Sequence, residues 1–215
     1  FFIPFVLIAI PVCRYNSARF GSIFEFGATL SLTTNDMNLR GFNMDRLLRG
    51  LYCFLIQPPV TTPDFPYLTS SVVDSAYMGR NLVEFNFGGV LTATPFMLII
   101  PLQALGLFKR LKKEELTITL SFLIPAFIIA VFDVNSAGIL YRYSCDFTTP
   151  FIIAALILWI PFLSADKSRL PRRLFSVLLL QALFYSLRVY CSDGDYLFIK
   201  DSSPLLFENI RSYFM

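Results

Sequence analysis

The richest set of chemically capable side chains lies near the start of the chain, in the string R-Y-N-S-A-R-F-G-S-I-F-E-F-G of residues 14–27. Aromatic residues alternate there with Arg14, Asn16, Arg19 and Glu25. A guanidinium group binds phosphate through paired hydrogen bonds, and a nearby carboxylate can hold that guanidinium in position. The string therefore fits a lip that binds an anionic or sugar headgroup, with Arg14 and Arg19 on the phosphate. The alternative is an interfacial aromatic belt whose arginines extend to lipid headgroups.

A second polar cluster is Y-R-Y-S-C-D-F at residues 141–147. Arg142 and Asp146 are four residues apart, so on a helix they share one face and can pair. An ion pair without functional consequence is one interpretation. Charge is costly at a membrane boundary, which favours a functional role. The sequence predicts that one substrate or lipid-phosphate site contains Arg14, Asn16, Arg19, Glu25, Arg142 and Asp146.

The composition limits the chemistry that these residues can perform. Of 215 residues, 55% are apolar and 15% are charged, and the mean hydropathy is +0.62. A soluble domain carries about 25% charged residues, so we expect a membrane protein. The absence of histidine excludes His-based triads and His metal sites within the chain, and no C-x-x-C spacing indicates a metal site. The net charge of +3 gives no basis for nucleic-acid binding.

Hydropathy predicts an all-α membrane fold in which residues 1–215 form a single transmembrane domain with about five spans. The predicted spans are residues 1–13, 90–108, 116–132, 147–163 and 174–190. Crossing the hydrocarbon core needs about 20 residues, so the first run is expected to be the second half of a helix, and the chain a fragment of a longer protein. Five prolines lie in or at the ends of the predicted spans: Pro95, Pro101, Pro125, Pro150 and Pro161. Neighbouring membrane helices can satisfy the carbonyls that a proline leaves without a partner, so we expect each proline to kink its helix without breaking it.

The lysines and arginines between spans predict the orientation. Among the short loops, two carry most of the basic residues, namely Lys109, Arg110, Lys112 and Lys113 in one and Lys167, Arg169, Arg172 and Arg173 in the other. The loop at 133–146 contains only Arg142. The two basic loops are therefore predicted to be cytoplasmic. Residues 14–89, 133–146 and 191–215 are then extracytoplasmic, and the expected location is the bacterial plasma membrane.

The long outer loop at 14–89 contains an amphipathic segment at residues 43–56. Its apolar residues recur at helical spacing, while Asp45, Arg46 and Arg49 take the other face. This pattern predicts an interfacial helix that lies along the membrane surface and ends before Pro58-Pro59. Packing against the membrane helices is the alternative. Residues 61–89 predict extended coil and turns.

All four cysteines, at positions 13, 53, 145 and 191, lie on the predicted outer side or at its edge. Two disulfides in an oxidising compartment are one interpretation. The other is four unpaired, partly buried thiols that behave as small hydrophobic side chains.

Several of these strings together resemble a known class. They are R-Y-N-x-x-R-F-G-S-x-x-E-F-G after a membrane helix, T-x-N-D-M (Thr33, Asn35, Asp36, Met37), an interfacial helix ending in P-P, F-P at Phe65-Pro66, and R-Y-x-x-D-F (Arg142, Tyr143, Asp146, Phe147). The pattern resembles the C-terminal half of bacterial polytopic membrane proteins related to the GT-C glycosyltransferases. It covers most of residues 14–163, and its first string is the most specific part.

The resemblance implies a polyprenyl-phosphate-linked sugar as donor and chemistry on the extracytoplasmic side. It also implies a catalytic Asp or Glu in an outer loop upstream of residue 1, so no catalytic residue and no cofactor is assigned in this chain. The expected partners are membrane lipid and a polyprenyl-phosphate sugar. A non-catalytic envelope protein or a transporter component is the competing hypothesis. The predicted spans contain almost no ionisable residue, Arg188 lying within a turn of an outer end, whereas ion-coupled carriers usually place charges inside the membrane; this favours the transferase.

Overall fold

The computed structural model describes residues 2–30, 37–39, 41–77, 80–107, 111–164, 169–192 and 199–214. The chain divides into two units. The first is Phe1–Gly41 with Ala76–Asn81, and the second is Phe42–Ser75 with Leu82–Met215. Some residues used in the sequence predictions lie outside the described ranges, namely Thr33, Asn35, Asp36, Phe108, Lys109, Arg110 and Lys167.

The first unit begins with helix α1, Ile3–Phe20. The predicted span ended at residue 13, but the helix continues through Arg14 and Arg19. The sequence becomes more polar after residue 13, but no proline interrupts the helix between residues 14 and 20. Arginine and alanine both favour the helical conformation. The helix ends at Gly21, whose φ of +79° is the left-handed conformation that glycine adopts without a steric penalty. Short 3₁₀ turns follow at Ala28–Leu30 and Met37–Leu39.

The second unit contains three long apolar helices: α5 (Lys113–Ser136), α6 (Ser144–Ser164) and α7 (Leu170–Cys191). In the described part of the chain, these are the helices long and apolar enough to cross a membrane. They contain the predicted spans 116–132, 147–163 and 174–190, and they fit an integral membrane protein. Pro125, Pro150 and Pro161 lie inside unbroken helices, as predicted.

The predicted span at 90–108 is not one helix. It consists of α3 (Val90–Ala93), a 3₁₀ helix (Pro95–Leu98) and α4 (Ile99–Ala104). The break is at Thr94, whose φ of −124° and ψ of 73° are not helical. The ring of a following proline disfavours the helical conformation of the preceding residue, and Pro95 also lacks an amide hydrogen. The prediction that Pro95 would kink this span without breaking it was therefore wrong.

Helix α2 (Met44–Leu55) confirms a helix within residues 43–56. Asn43 caps it by accepting a hydrogen bond from the Arg46 amide at 3.0 Å. The helix packs closely on α5 at Gly50. A Cβ atom added at Gly50 would lie only 2.5 Å from the Val134 methyl groups. Its position at the membrane surface stays a prediction.

A β-hairpin occupies much of the segment that was predicted to be coil, so that prediction was wrong. Its strands are β1 (Ser71–Tyr77) and β2 (Arg80–Asn86). Along β1, buried Val73 and Ser75 alternate with exposed Val72 and Asp74, which is the two-residue period of a strand with one buried face. The hairpin also means that the fold is not entirely α-helical.

Aromatic side chains fill the core between α2, α6 and the broken segment. The Phe54 and Phe147 ring centroids are 5.1 Å apart, and both residues are buried. The indole nitrogen of Trp159 donates to the Phe96 carbonyl at 2.8 Å, which ties α6 to the 3₁₀ helix. Two short helices, α8 (Ile199–Ser202) and α9 (Pro204–Arg211), end the described chain.

Candidate functional site

Two arginines of the predicted site lie on the last turns of α1 with exposed side chains. The Arg19 guanidinium donates to the Tyr15 hydroxyl and lies 5.1 Å from the centre of the Phe20 ring. Within the described ranges, neither Arg14 nor Arg19 forms an ion pair with a carboxylate. Whether an anion binds either guanidinium group stays a prediction.

Asn16 and Glu25 stabilise the turn that follows α1. The Asn16 side chain is buried and donates to the Ile23 carbonyl at 3.3 Å. The Glu25 carboxylate accepts from the Gly27 amide at 2.7 Å. These bonds support the backbone next to the two arginines, so a positioning role suits Asn16 better than direct contact with a ligand.

The other two predicted site residues, Arg142 and Asp146, are exposed in the second unit. The Arg142 guanidinium lies 4.8 Å from the centre of the Tyr143 ring and donates to its hydroxyl at 2.9 Å. No ion pair joins Arg142 to Asp146 in the described structure, because Arg142 lies in the 3₁₀ turn Tyr141–Tyr143, before α6 begins at Ser144. The convergence of the α1 residues with Arg142 and Asp146 in one site stays a prediction.

The sequence analysis missed a buried ion pair between Arg46 and Glu84. Both guanidinium Nη atoms lie 3.1 Å from a carboxylate oxygen, in a two-pronged pairing. The two residues are 2% and 4% exposed. Placing Arg46 on the outward polar face of an interfacial helix was therefore wrong, because its side chain points into the protein.

The surroundings of this ion pair satisfy the remaining polar atoms. Arg46 Nε donates to the Val134 carbonyl at 2.8 Å, and Glu84 accepts from the Ile139 amide at 2.7 Å. The Ser75 hydroxyl lies between them and contacts both side chains. The cluster joins α2, the hairpin and the α5–α6 connection, and its burial excludes a soluble substrate. We assign it a structural role.

A cavity of about 230 Å³ lies in the second unit between the start of α3, the start of α6 and α7. Seven of its twelve lining residues, all within the described ranges, carry a hydroxyl group: Thr94, Tyr141, Ser144, Thr148, Thr149, Tyr185 and Ser186. The sequence signal for this cavity was the hydroxyl residues in the first two turns of an otherwise apolar helix. Ser144 and Thr148 are four residues apart and therefore share one helix face. They were overlooked because single hydroxyl residues are common in membrane helices.

A larger groove of about 550 Å³ lies between the end of α4, α5 and α6. Leucines such as Leu116, Leu123 and Leu158 line it, together with the polar residues Gln103 and Thr119. The smaller cavity carries more hydroxyl groups, and it is the candidate that we consider for a polar ligand.

The cysteines follow the second of the two interpretations. All four are unpaired. Cys53 and Cys191 are buried, Cys13 is partly exposed, and Cys145 is exposed and lines the hydroxyl cavity.

Comparison of the chain with protein-family models, with curated proteins and with solved structures found no match.

Proposed function

We propose that the chain is part of an integral-membrane, glycosyltransferase-like protein that acts on the extracytoplasmic side with a lipid-phosphate-linked sugar donor. The observation that carries the proposal is the pair of exposed arginines on the last turns of α1. Arg14 and Arg19 have no carboxylate partner within the described ranges, and they follow an apolar helix segment. A cation at the end of such a segment is at the height of a lipid phosphate if the segment enters the bilayer.

The proposed chemistry needs cations where a phosphate leaves. When the sugar is transferred, negative charge develops on the lipid phosphate, and fixed donors that point at this charge stabilise the transition state. Arg14 and Arg19 serve this role in the proposal, with Arg142 as a third contact. The planar guanidinium group binds phosphate through two parallel hydrogen bonds, which a lysine ammonium cannot form.

Replacing the arginines with lysine tests this role. We expect Arg14→Lys, Arg19→Lys and Arg142→Lys each to weaken the binding of polyprenyl phosphate by about tenfold, because charge is kept while the two-pronged hydrogen bonding is lost. The measurement is equilibrium binding to the chain in nanodiscs of neutral lipid. The uncharged polyprenol is the reference ligand, and its binding should not change.

Arg211→Lys is the matched control. Arg211 is a partly exposed arginine that lies on α9 and pairs with Glu208 at 3.4 Å. It should bind polyprenyl phosphate like the unmodified chain. Equal affinity in all four variants would refute the phosphate site and would leave the interfacial-belt interpretation of the arginines.

A transporter component is the second candidate, and the broken segment of α3, the 3₁₀ helix and α4 favours it. Secondary transporters often build their substrate sites at interrupted helices, and Thr94, at the break, lines the hydroxyl cavity. Uptake of radiolabelled sugars into sealed proteoliposomes distinguishes the two functions. The transferase proposal expects no uptake above that of protein-free vesicles, and uptake that saturates with sugar concentration would favour transport.

A further inference from the structure

The size of the hydroxyl-lined cavity restricts its ligand. Its volume is about 230 Å³. Pockets for drug-sized ligands begin at about 300 Å³. The cavity therefore suits one small ligand, on the scale of a single sugar ring.

The hydrogen bonds of the lining residues restrict the ligand further. The hydroxyls of Thr94, Ser144, Thr148, Tyr185 and Ser186 each donate their hydrogen to a backbone carbonyl. A hydroxyl group has one hydrogen and two acceptor lone pairs, so these five oxygens remain able to accept. A complementary ligand must bring several hydrogen-bond donors.

The charge of the lining argues for a neutral ligand. No Asp, Glu, Lys or Arg lines the cavity in the described part of the chain. Burying an ion without a partner of opposite charge is costly, whereas a neutral hydroxyl needs only a hydrogen bond. A phosphate or an ammonium group is therefore disfavoured inside the cavity, and a polyol fits.

We infer that this cavity binds one neutral monosaccharide unit, whose hydroxyl groups donate to the hydroxyl oxygens of the lining. That the sugar belongs to a lipid-linked donor rests on the proposed function. The position agrees with this role, because the lining residues Tyr141 and Ser144 flank Arg142 in the chain. The sugar would thus lie beside an arginine proposed to contact the phosphate.

Cys145 provides a reporter of occupancy, because it is exposed and lines the cavity. Cys13→Ser removes the partly exposed thiol, and Cys53 and Cys191 are only 3% and 1% exposed. Burial raises the pKa of Cys53 to about 11, so at pH 7.5 it carries almost no reactive thiolate. Labelling by a small thiol reagent then measures access to Cys145.

The experiment measures the labelling rate of the Cys13→Ser chain in nanodiscs with methyl glycosides of glucose, galactose, mannose and N-acetylglucosamine. A glycoside at a concentration of about four times its Kd should slow the labelling of Cys145 about fivefold, because only the unoccupied site reacts. Thr148→Val keeps the shape of the side chain but removes one hydroxyl oxygen, and should weaken protection about fivefold. Ser186→Ala tests the same point from α7 if the valine variant does not fold.

Thr117→Val is the matched control. The hydroxyls of Thr117 and Thr148 each donate to the carbonyl four residues earlier, at 2.8 Å and 2.5 Å respectively. Thr117 lies on α5 and does not line the cavity. Protection that is weakened by Thr148→Val and kept in Thr117→Val supports the inference. Labelling unaffected by every glycoside, or slowed by sugar-free polyprenyl phosphate alone, would overturn it.

The two proposals fail in different ways. If no glycoside protects Cys145 but the arginine variants weaken phosphate binding, the sugar site is refuted and the phosphate site is supported. Glycoside protection with unchanged phosphate binding in the three lysine variants keeps the sugar site and removes the proposed phosphate contacts.

Discussion

Glu84→Gln is expected to lower the free energy of unfolding by about 3–5 kcal/mol, the usual cost of removing one partner of a buried ion pair. Arg46 would keep its charge in a site where it is 2% exposed, without the carboxylate that now lies 3.1 Å from both Nη atoms. Glutamine has nearly the size of glutamate, so the loss reports charge more than packing. Unfolding by urea in detergent micelles, followed by circular dichroism, measures the change.

The exposed pair on α9 is the control for this prediction. Arg211 and Glu208 are 3.4 Å apart, with side chains 41% and 62% exposed, and exposed pairs contribute about 0–1 kcal/mol. Glu208→Gln should therefore change stability little. The double variant Arg46→Met/Glu84→Leu should be more stable than Glu84→Gln, because no buried charge remains unpaired. A Glu84→Gln protein as stable as Glu208→Gln would show that the ion pair has no structural role.

Gly89→Ala is expected to destabilise the protein by about 3 kcal/mol, at the upper end of the usual cost of overpacking. An added Cβ would lie 2.3 Å from the Ile56 amide nitrogen and 2.4 Å from the Leu55 carbonyl carbon. Both atoms belong to the backbone at the end of α2, so no side chain can rotate away. The Gly89 amide also donates to the Gln57 carbonyl at 2.8 Å, and this bond keeps the two segments together. Thermal unfolding of the purified chain measures the loss.

Gly41→Ala is the matched control, because nothing lies within 4 Å of a Cβ atom added there. Its unfolding temperature should equal that of the unmodified chain within error. If Gly89→Ala were as stable as Gly41→Ala, the close approach of α2 to the start of α3 would be refuted.

These predictions place two stabilising contacts around α2, at opposite ends of the helix. Arg46 in its first turn binds the hairpin through Glu84, and its last turn packs against Gly89. The Asn86 side chain adds a third connection, since its amide donates to the Cys53 carbonyl at 2.7 Å. A helix held at both ends in this way is a fixed part of the second unit.

The long helices were predictable because their signal is local. A run of apolar residues about as long as the hydrocarbon core is thick predicts a span whatever lies next to it, and α5, α6 and α7 appear where the sequence predicted them. The helix at α2 followed from its apolar spacing in the same way. The break at Thr94 was also encoded locally, in the proline that follows it, but the tolerance of membrane helices for proline made the opposite expectation reasonable.

Some of the candidate residues were indicated by the sequence, and others were recognised only in the structure. Charge type and spacing drew attention to Arg14, Arg19 and Arg142, and the structure places all three on exposed surfaces. Glu84 and Thr148 carried no comparable signal. Their roles depend on which partners the fold brings to them, and those partners are distant in the sequence.

The sequence by itself therefore determined the three long apolar helices α5, α6 and α7, because a continuous apolar run is a local property of the chain. Only the tertiary structure decided the partners of Arg46 and the lining of the hydroxyl cavity. Arg46 and Glu84 are 38 positions apart, and the hydroxyls that face Thr148 come from α7 and from the break at Thr94. No local pattern specifies such pairings, because they are set by how the helices pack and by the requirement that buried polar groups find partners.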